Sequence, residues 1–96
     1  MEDENQRLSN KEIFGTFFRE KPAMMLINLK NSKSEVYASS LAKQVDCTYS
    51  HVVKILQNMK NSGLINIEKS GRLNLLTLTK TGSEIAEKMD HIRGML

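Results

Sequence analysis

The chain has 96 residues, 40% of them hydrophobic and 26% charged, with a formal charge of +3. That is room for one core and no more, and no apolar run approaches the roughly 20 residues that would span a bilayer. The charge is uneven: residues 30–80 hold eight basic side chains against three acidic ones, +5, while 1–29 and 81–96 each carry −1, so a polyanion partner is expected for the middle of the chain.

In chain order, residues 1–8 read as a flexible acidic tail without the form of a secretory signal, and 9–96 as one domain. Ser9-Asn10-Lys11-Glu12 has the form of a capping box, and Ile13, Phe14, Phe17 and Phe18 follow at helical spacing. Pro22 interrupts that pattern and suits the first turn of a new helix, 22 to about 30, with Ala23, Met25, Leu26 and Leu29 inward. After a polar connector, Val36-Tyr37 reads as a very short strand, with Tyr37 expected to pack beneath the helices that follow. The next helix, about 38–44, buries Leu41 and Ala42.

Val45-Asp46-Cys47-Thr48 reads as a tight turn, with Thr48 the N-cap of a longer helix to about 62. Val52, Ile55, Leu56 and Met59 share one face of that helix, and Gly63 suits the position just past its end. Leu64-Ile65-Asn66-Ile67 and Leu76-Thr77-Leu78 switch to period two, with Lys69-Ser70-Gly71-Arg72 between them, which predicts a hairpin. Thr81-Gly82-Ser83-Glu84 reads as a second capping box, opening a helix with Ile85, Met89, Ile92 and Leu96 along one side. The result is an α+β, mainly helical chain: a winged helix-turn-helix with a two-stranded wing and extra N- and C-terminal helices.

Ser40-Leu41-Ala42-Lys43, the turn at 45–48, the run from His51 to Ser62-Gly63-Leu64-Ile65, the Gly71-Arg72 tip and Leu76-Thr77-Leu78-Thr79-Lys80-Thr81-Gly82 together resemble bacterial and archaeal winged-helix transcription regulators of the MarR and ArsR type. The last of these resembles the "LTxxG" opening of their final helix. The likeness spans residues 22 to about 90. The connector position that usually holds glycine is Asp46 here, and aspartate enters the left-handed region more readily than most residues. The long flanking helices of a full MarR protein are missing from the pattern. A compact lysine-rich chain of this style is at home in an archaeon.

The arrangement implies a recognition helix in the major groove. With Val52, Leu56 and Met59 inward, the candidate DNA contacts are Thr48, Tyr49, Ser50, His51, Val53, Lys54 and Gln57. Tyr49 and Ser50 can donate or accept, Gln57 can bond adenine, Val53 can touch a thymine methyl, and Lys54 can reach guanine or a phosphate. Thr48 and the first free N–H groups can hold a phosphate. Lys69 and Arg72 flank a Ser-Gly tip with no apolar residue to bury, suited to the DNA backbone or minor groove, with Glu68 the one acidic neighbour. Lys33, Lys43 and Lys60 suit phosphate contact or simple solvation.

Phe14, Phe17, Phe18, Ile85, Met89, Ile92 and Leu96 are more apolar surface than so small a motif covers, so a homodimer through the first and last helices is expected. The competing arrangement packs those helices on each other within one chain. One cysteine and two distant histidines give no disulfide, no metal-ligand spacing and no cofactor, and point to a reducing cytoplasm, with Cys47 a small apolar filler. No phosphate loop, nucleophile motif or carboxylate pair suggests an enzyme. The sequence reading is therefore a double-stranded DNA-binding regulator, repressing by occupancy. The alternative is a winged-helix protein-interaction module, since fold does not fix function. Whether an effector binds stays open; the dimer interface is the place for one.

Overall fold

A computed structural model of the protein describes Asn10 and residues 18–96. The predicted tail, the first capping box and the Ile13, Phe14, Phe17 stripe lie outside these residues, apart from Asn10. The elements run α1 (Glu20–Asn31), β1 (Val36–Tyr37), α2 (Ala38–Gln44), α3 (Tyr49–Asn61), β2 (Ile65–Ser70), β3 (Leu73–Leu78) and α4 (Lys80–Met95). The three strands form one antiparallel sheet in the order β1-β3-β2. None of the described helices is long and apolar enough to cross a membrane.

One core joins the helices to the sheet. Met25 and Leu26 of α1, Leu41 of α2, Val52, Leu56 and Met59 of α3, Ile65 and Leu76 of the hairpin and Ala86 of α4 meet in it, with Ile55 half-buried beside them. Inward positions recur every three to four residues on the helices and every second residue on the strands, which is why these side chains meet in one cluster. On α1 the expectation needs one addition. Leu29 is half-buried against the core as expected, and Ile27 is buried as well, because α1 is covered on two sides: Ala23 and Ile27 form a second cluster with Phe18, Met24, Met89 and Leu96. The helix also starts two residues before Pro22, whose missing N–H falls in the first turn, where no helical acceptor exists.

Both helices of the motif end in the same way. After α2, Cys47 N–H donates to Ala42 O at 3.0 Å and Asp46 N–H to Lys43 O at 3.3 Å; after α3, Leu64 N–H donates to Met59 O and Gly63 N–H to Lys60 O, both at 3.0 Å. This is the Schellman pattern, which needs a left-handed residue just past the helix. Gly63 supplies it at φ 76° and Asp46 at φ 53°, as expected of the residue standing in the glycine position. Cys47 packs its half-buried thiol against the core from this turn.

The start of α4 differs from the sequence reading. The cap is Thr79, two residues before Thr81, with its hydroxyl accepting from Gly82 N–H at 3.0 Å. The same hydroxyl is 2.7 Å from Gly63 O and 3.1 Å from Leu64 O, and Thr79 N–H donates to Leu64 O at 3.0 Å. Gly82 is buried so closely that a Cβ there would lie 1.8 Å from Leu64 O. Thr81 is exposed and has none of these partners. The Leu-Thr-x-x-Gly string is thus a joint: threonine ties the end of α3 to the start of α4, and glycine lets the two backbones touch.

Tyr37 is the remaining correction. Val36 pairs with Leu76 and is buried, so the period of two turns Tyr37 to the opposite face beside Leu75. Its hydroxyl donates to Glu35 at 2.7 Å, and that bond, with burial and the carboxylate charge adding to it, raises the phenol pKa above its usual value.

Candidate nucleic-acid interface

Thr48 caps α3, accepting from His51 N–H at 3.3 Å, and fixes where the exposed side of the helix begins. With Val52, Leu56 and Met59 committed to the core, Thr48, Tyr49, Ser50, His51, Val53, Lys54 and Gln57 are all exposed. They divide by helical phase. Ser50 is at the outermost phase, with Lys54 beside it bordering the α1 side and Gln57 bordering the hairpin side. Tyr49 (49% exposed) and Val53 (37%) turn toward the hairpin, and His51 with Asn58 toward the start of α1.

The hairpin meets the helix on the Tyr49 side. Its register pairs Lys69 with Asn74 and Ser70 with Leu73, leaving Gly71 and Arg72 as a two-residue turn. Gly71 has φ 62° and Arg72 a negative φ, the sign pattern of a II′ turn, which follows the strand twist. Asn74 Nδ2 donates to Tyr49 Oη at 3.3 Å. Directly paired residues share a face of the ribbon, so Lys69 stands on the α3 side with Asn74. Glu68, paired with Leu75, stands on the other. The acid that opposed the basic tip in sequence is therefore turned away from it.

Lys54, Lys69 and Arg72 form no ion pair among the described residues, and none of the exposed positions on the first two turns of α3 is acidic. No group of three or more His, Cys, Asp or Glu among the described residues converges to hold a metal. The dimerisation set is only partly drawn together. Phe14 and Phe17 lie outside the described residues. Phe18 and Leu96 pack on Ala23 and Ile27, and Ile85 and Met89 lie against the chain's own core. What faces solvent is Ile92, 37% exposed, and Met95, 74% exposed.

Solved structures share this arrangement. AF1382 from Archaeoglobus fulgidus superposes with a TM-score of 0.84 at 24% identity, over 88% of this chain and 96% of that one. AbsC, a MarR family transcriptional regulator from Streptomyces coelicolor, gives 0.74 at 21% identity over 90% of this chain and 61% of that one. MepR, a transcription regulator of the Staphylococcus aureus multidrug efflux pump MepA, gives 0.74 at 17%, over 90% and 68%, and in its DNA complex 0.69 at 18%, over 90% and 74%. The fold is the winged helix of the MarR regulators. No protein-family model and no curated protein matches the sequence.

Within this winged helix, α2 and α3 are the helix-turn-helix and β2–β3 the wing. Three of its contributors were missed in the sequence. Lys21 on α1 donates to the carbonyls of Val45 and Asp46, the latter at 3.1 Å, clasping the turn between α2 and α3 from outside the motif. A lysine one turn into a helix carries no pattern that foretells this. Asn74, which steadies Tyr49, could have been found from register, since counting back from the Gly71 turn sets it opposite Lys69. Leu73, 44% exposed just past the Ser-Gly tip, adds apolar surface that the reading of the tip did not consider. It pairs with Ser70 on the face away from α3, where no helix covers it.

Proposed function

We propose that this chain is a sequence-specific, double-stranded DNA-binding regulator of transcription, a cytoplasmic homodimer that represses by occupying its site and catalyses nothing. One observation carries the reading: the outer side of α3 presents Tyr49, Ser50, Val53, Lys54 and Gln57 to solvent, free of acidic residues, next to a wing whose Lys69 and Arg72 are exposed. An α-helix with its side chains is 10–12 Å across and the major groove about 12 Å wide, so this face suits insertion. Ser50, Lys54 and Gln57 are the base readers, with Val53 against a thymine methyl. Tyr49 accepts from Asn74 and keeps its own hydroxyl hydrogen to donate. Thr48 and the start of α3 take one phosphate, and Lys69 and Arg72 lie along the backbone or minor groove. The likeness to regulators, one of them solved on DNA, supports the assignment. Ile92, Met95 and Leu96, with Phe14, Phe17 and Phe18, provide the pairing surface.

Selection of bound duplexes from random sequence tests this. The wild type should enrich one motif. Lys54→Ala should lose preference at one position, about 1–3 kcal/mol of discrimination, while Arg72→Ala weakens binding evenly across sequences. Log K should fall with log salt at a slope near −5, for about six phosphates. A chain that binds no duplex, or binds with a flat salt response, would overturn the proposal.

A further inference from the structure

We infer that the cleft between the start of α1 and the flank of α3 turned away from the wing is a second DNA-backbone site, holding a phosphodiester of the strand that the wing does not meet; this rests on the DNA-binding reading above. A helix filling the major groove has a sugar-phosphate wall on each side. The Tyr49 and Val53 flank of α3 has the wing beside it. The opposite flank, His51 and Asn58, faces the start of α1 across a cleft of about 440 Å³.

The chemistry of this cleft fits a nucleic-acid backbone. Arg19, His51, Lys54 and Asn58 line it over an apolar floor that includes Pro22 and Ile55. A guanidinium can fork onto two phosphate oxygens, and imidazole and amide N–H groups add donors, while the floor offers contact to a deoxyribose. No carboxylate lines it. Glu20, next to Arg19, borders a separate cleft together with Lys21. Arg19 is exposed and holds an extended backbone as the residue before α1, and it forms no ion pair among the described residues. The charged groups sharing the cleft with His51 are Arg19, from the segment ahead of α1, and Lys54, from α3; both are cationic. A phosphate supplies the missing counter-charge.

Fluorescence anisotropy on a short duplex that the wild type binds decides the matter. Arg19→Ala should weaken binding roughly five- to tenfold, and reduce the salt slope by about 1, without altering the preference between sequences. Arg19→Glu should weaken it further. His51→Gln should weaken it by a smaller factor, again without altering the preference between sequences. Thermal melts of the variants should match the wild type, since Arg19 and His51 are exposed. If the wild type binds DNA but Arg19→Ala and Arg19→Glu bind equally well with an unchanged slope, this site is overturned and the wider reading stands. If His51→Gln binds as tightly as the wild type, His51 is not in contact with a phosphate. If no duplex binds the wild type, the wider reading falls and the site with it.

Discussion

Leu41, Val52 and Ile65, at the centre of the helix-turn-helix and wing, are at most 1% exposed, whereas Ile92 and Met95 near the end of α4 are 37% and 74% exposed. The first region completes its packing with its own helices and sheet. In the second, Ala23 and Ile27 make a small cluster on α1, and the last turns of α4 leave apolar side chains in water. Burial contributes roughly 25 cal/mol per Å² of apolar surface, so the two regions are stabilised very unequally within one chain. The contrast teaches that packing is uneven along one chain: the helix-turn-helix and wing complete their core on their own, while the end of α4 keeps Ile92 and Met95 exposed.

The sharpest way to break that contrast is at the joint between wing and α4. Gly82→Ala puts a methyl group into the Leu64 carbonyl, and neither backbone can retreat without moving a helix. A loss of about 3 kcal/mol or more is expected, seen by circular dichroism as a melting temperature lower by about 12 °C or more. A small shift would mean that α4 is not tightly joined to the first region. Next, Ile92→Ser with Met95→Ser should turn a particle of twice 10.9 kDa into one of 10.9 kDa in light scattering, with a little-changed melting temperature, because both residues face solvent. A wild type already at 10.9 kDa would deny that end of the molecule its pairing role.

Smaller effects compare the two helix ends. Gly63→Ala should cost about 1 kcal/mol in urea unfolding, since a Cβ is disfavoured at φ 76°. Asp46→Gly should change stability by less than about 1 kcal/mol, as easier left-handed geometry is offset by a more flexible unfolded chain. The smallest is Tyr37. Its phenol is raised above the ordinary tyrosine value of 10.0, so the bond to Glu35 contributes fully below that pH and is lost as pH rises through the folded value. Absorbance titration should show Tyr37 ionising late, and Glu35→Ala should bring it down.

Much of the reading surface was legible because local rules set it. Thr48 before an i, i+3, i+4, i+7 stripe fixes both the start of α3 and which residues face out, and a glycine between two alternating runs fixes the hairpin. Asp46 was legible for the same reason, since its turn demands a left-handed residue. What failed depended on contacts distant in sequence. Thr81 matched the local capping pattern as well as Thr79 did, and only the carbonyls of Gly63 and Leu64 decide between them. Ile27 is buried by a second face that one stripe does not reveal, and Ile85 and Met89, assigned to a pairing face, are half-buried against the chain's own core. Lys21 acts through carbonyls 24 and 25 positions further on, beyond any spacing rule.

The Lys21 clasp has a geometric consequence. Because Lys21 of α1 holds the bend before α3, the direction in which α3 leaves that bend is tied to α1 as well as to α2, like a key held by its bow. If the chain pairs and binds DNA as proposed, the spacing of the two half-sites would then depend on how α1 is set, through a residue outside the helix-turn-helix.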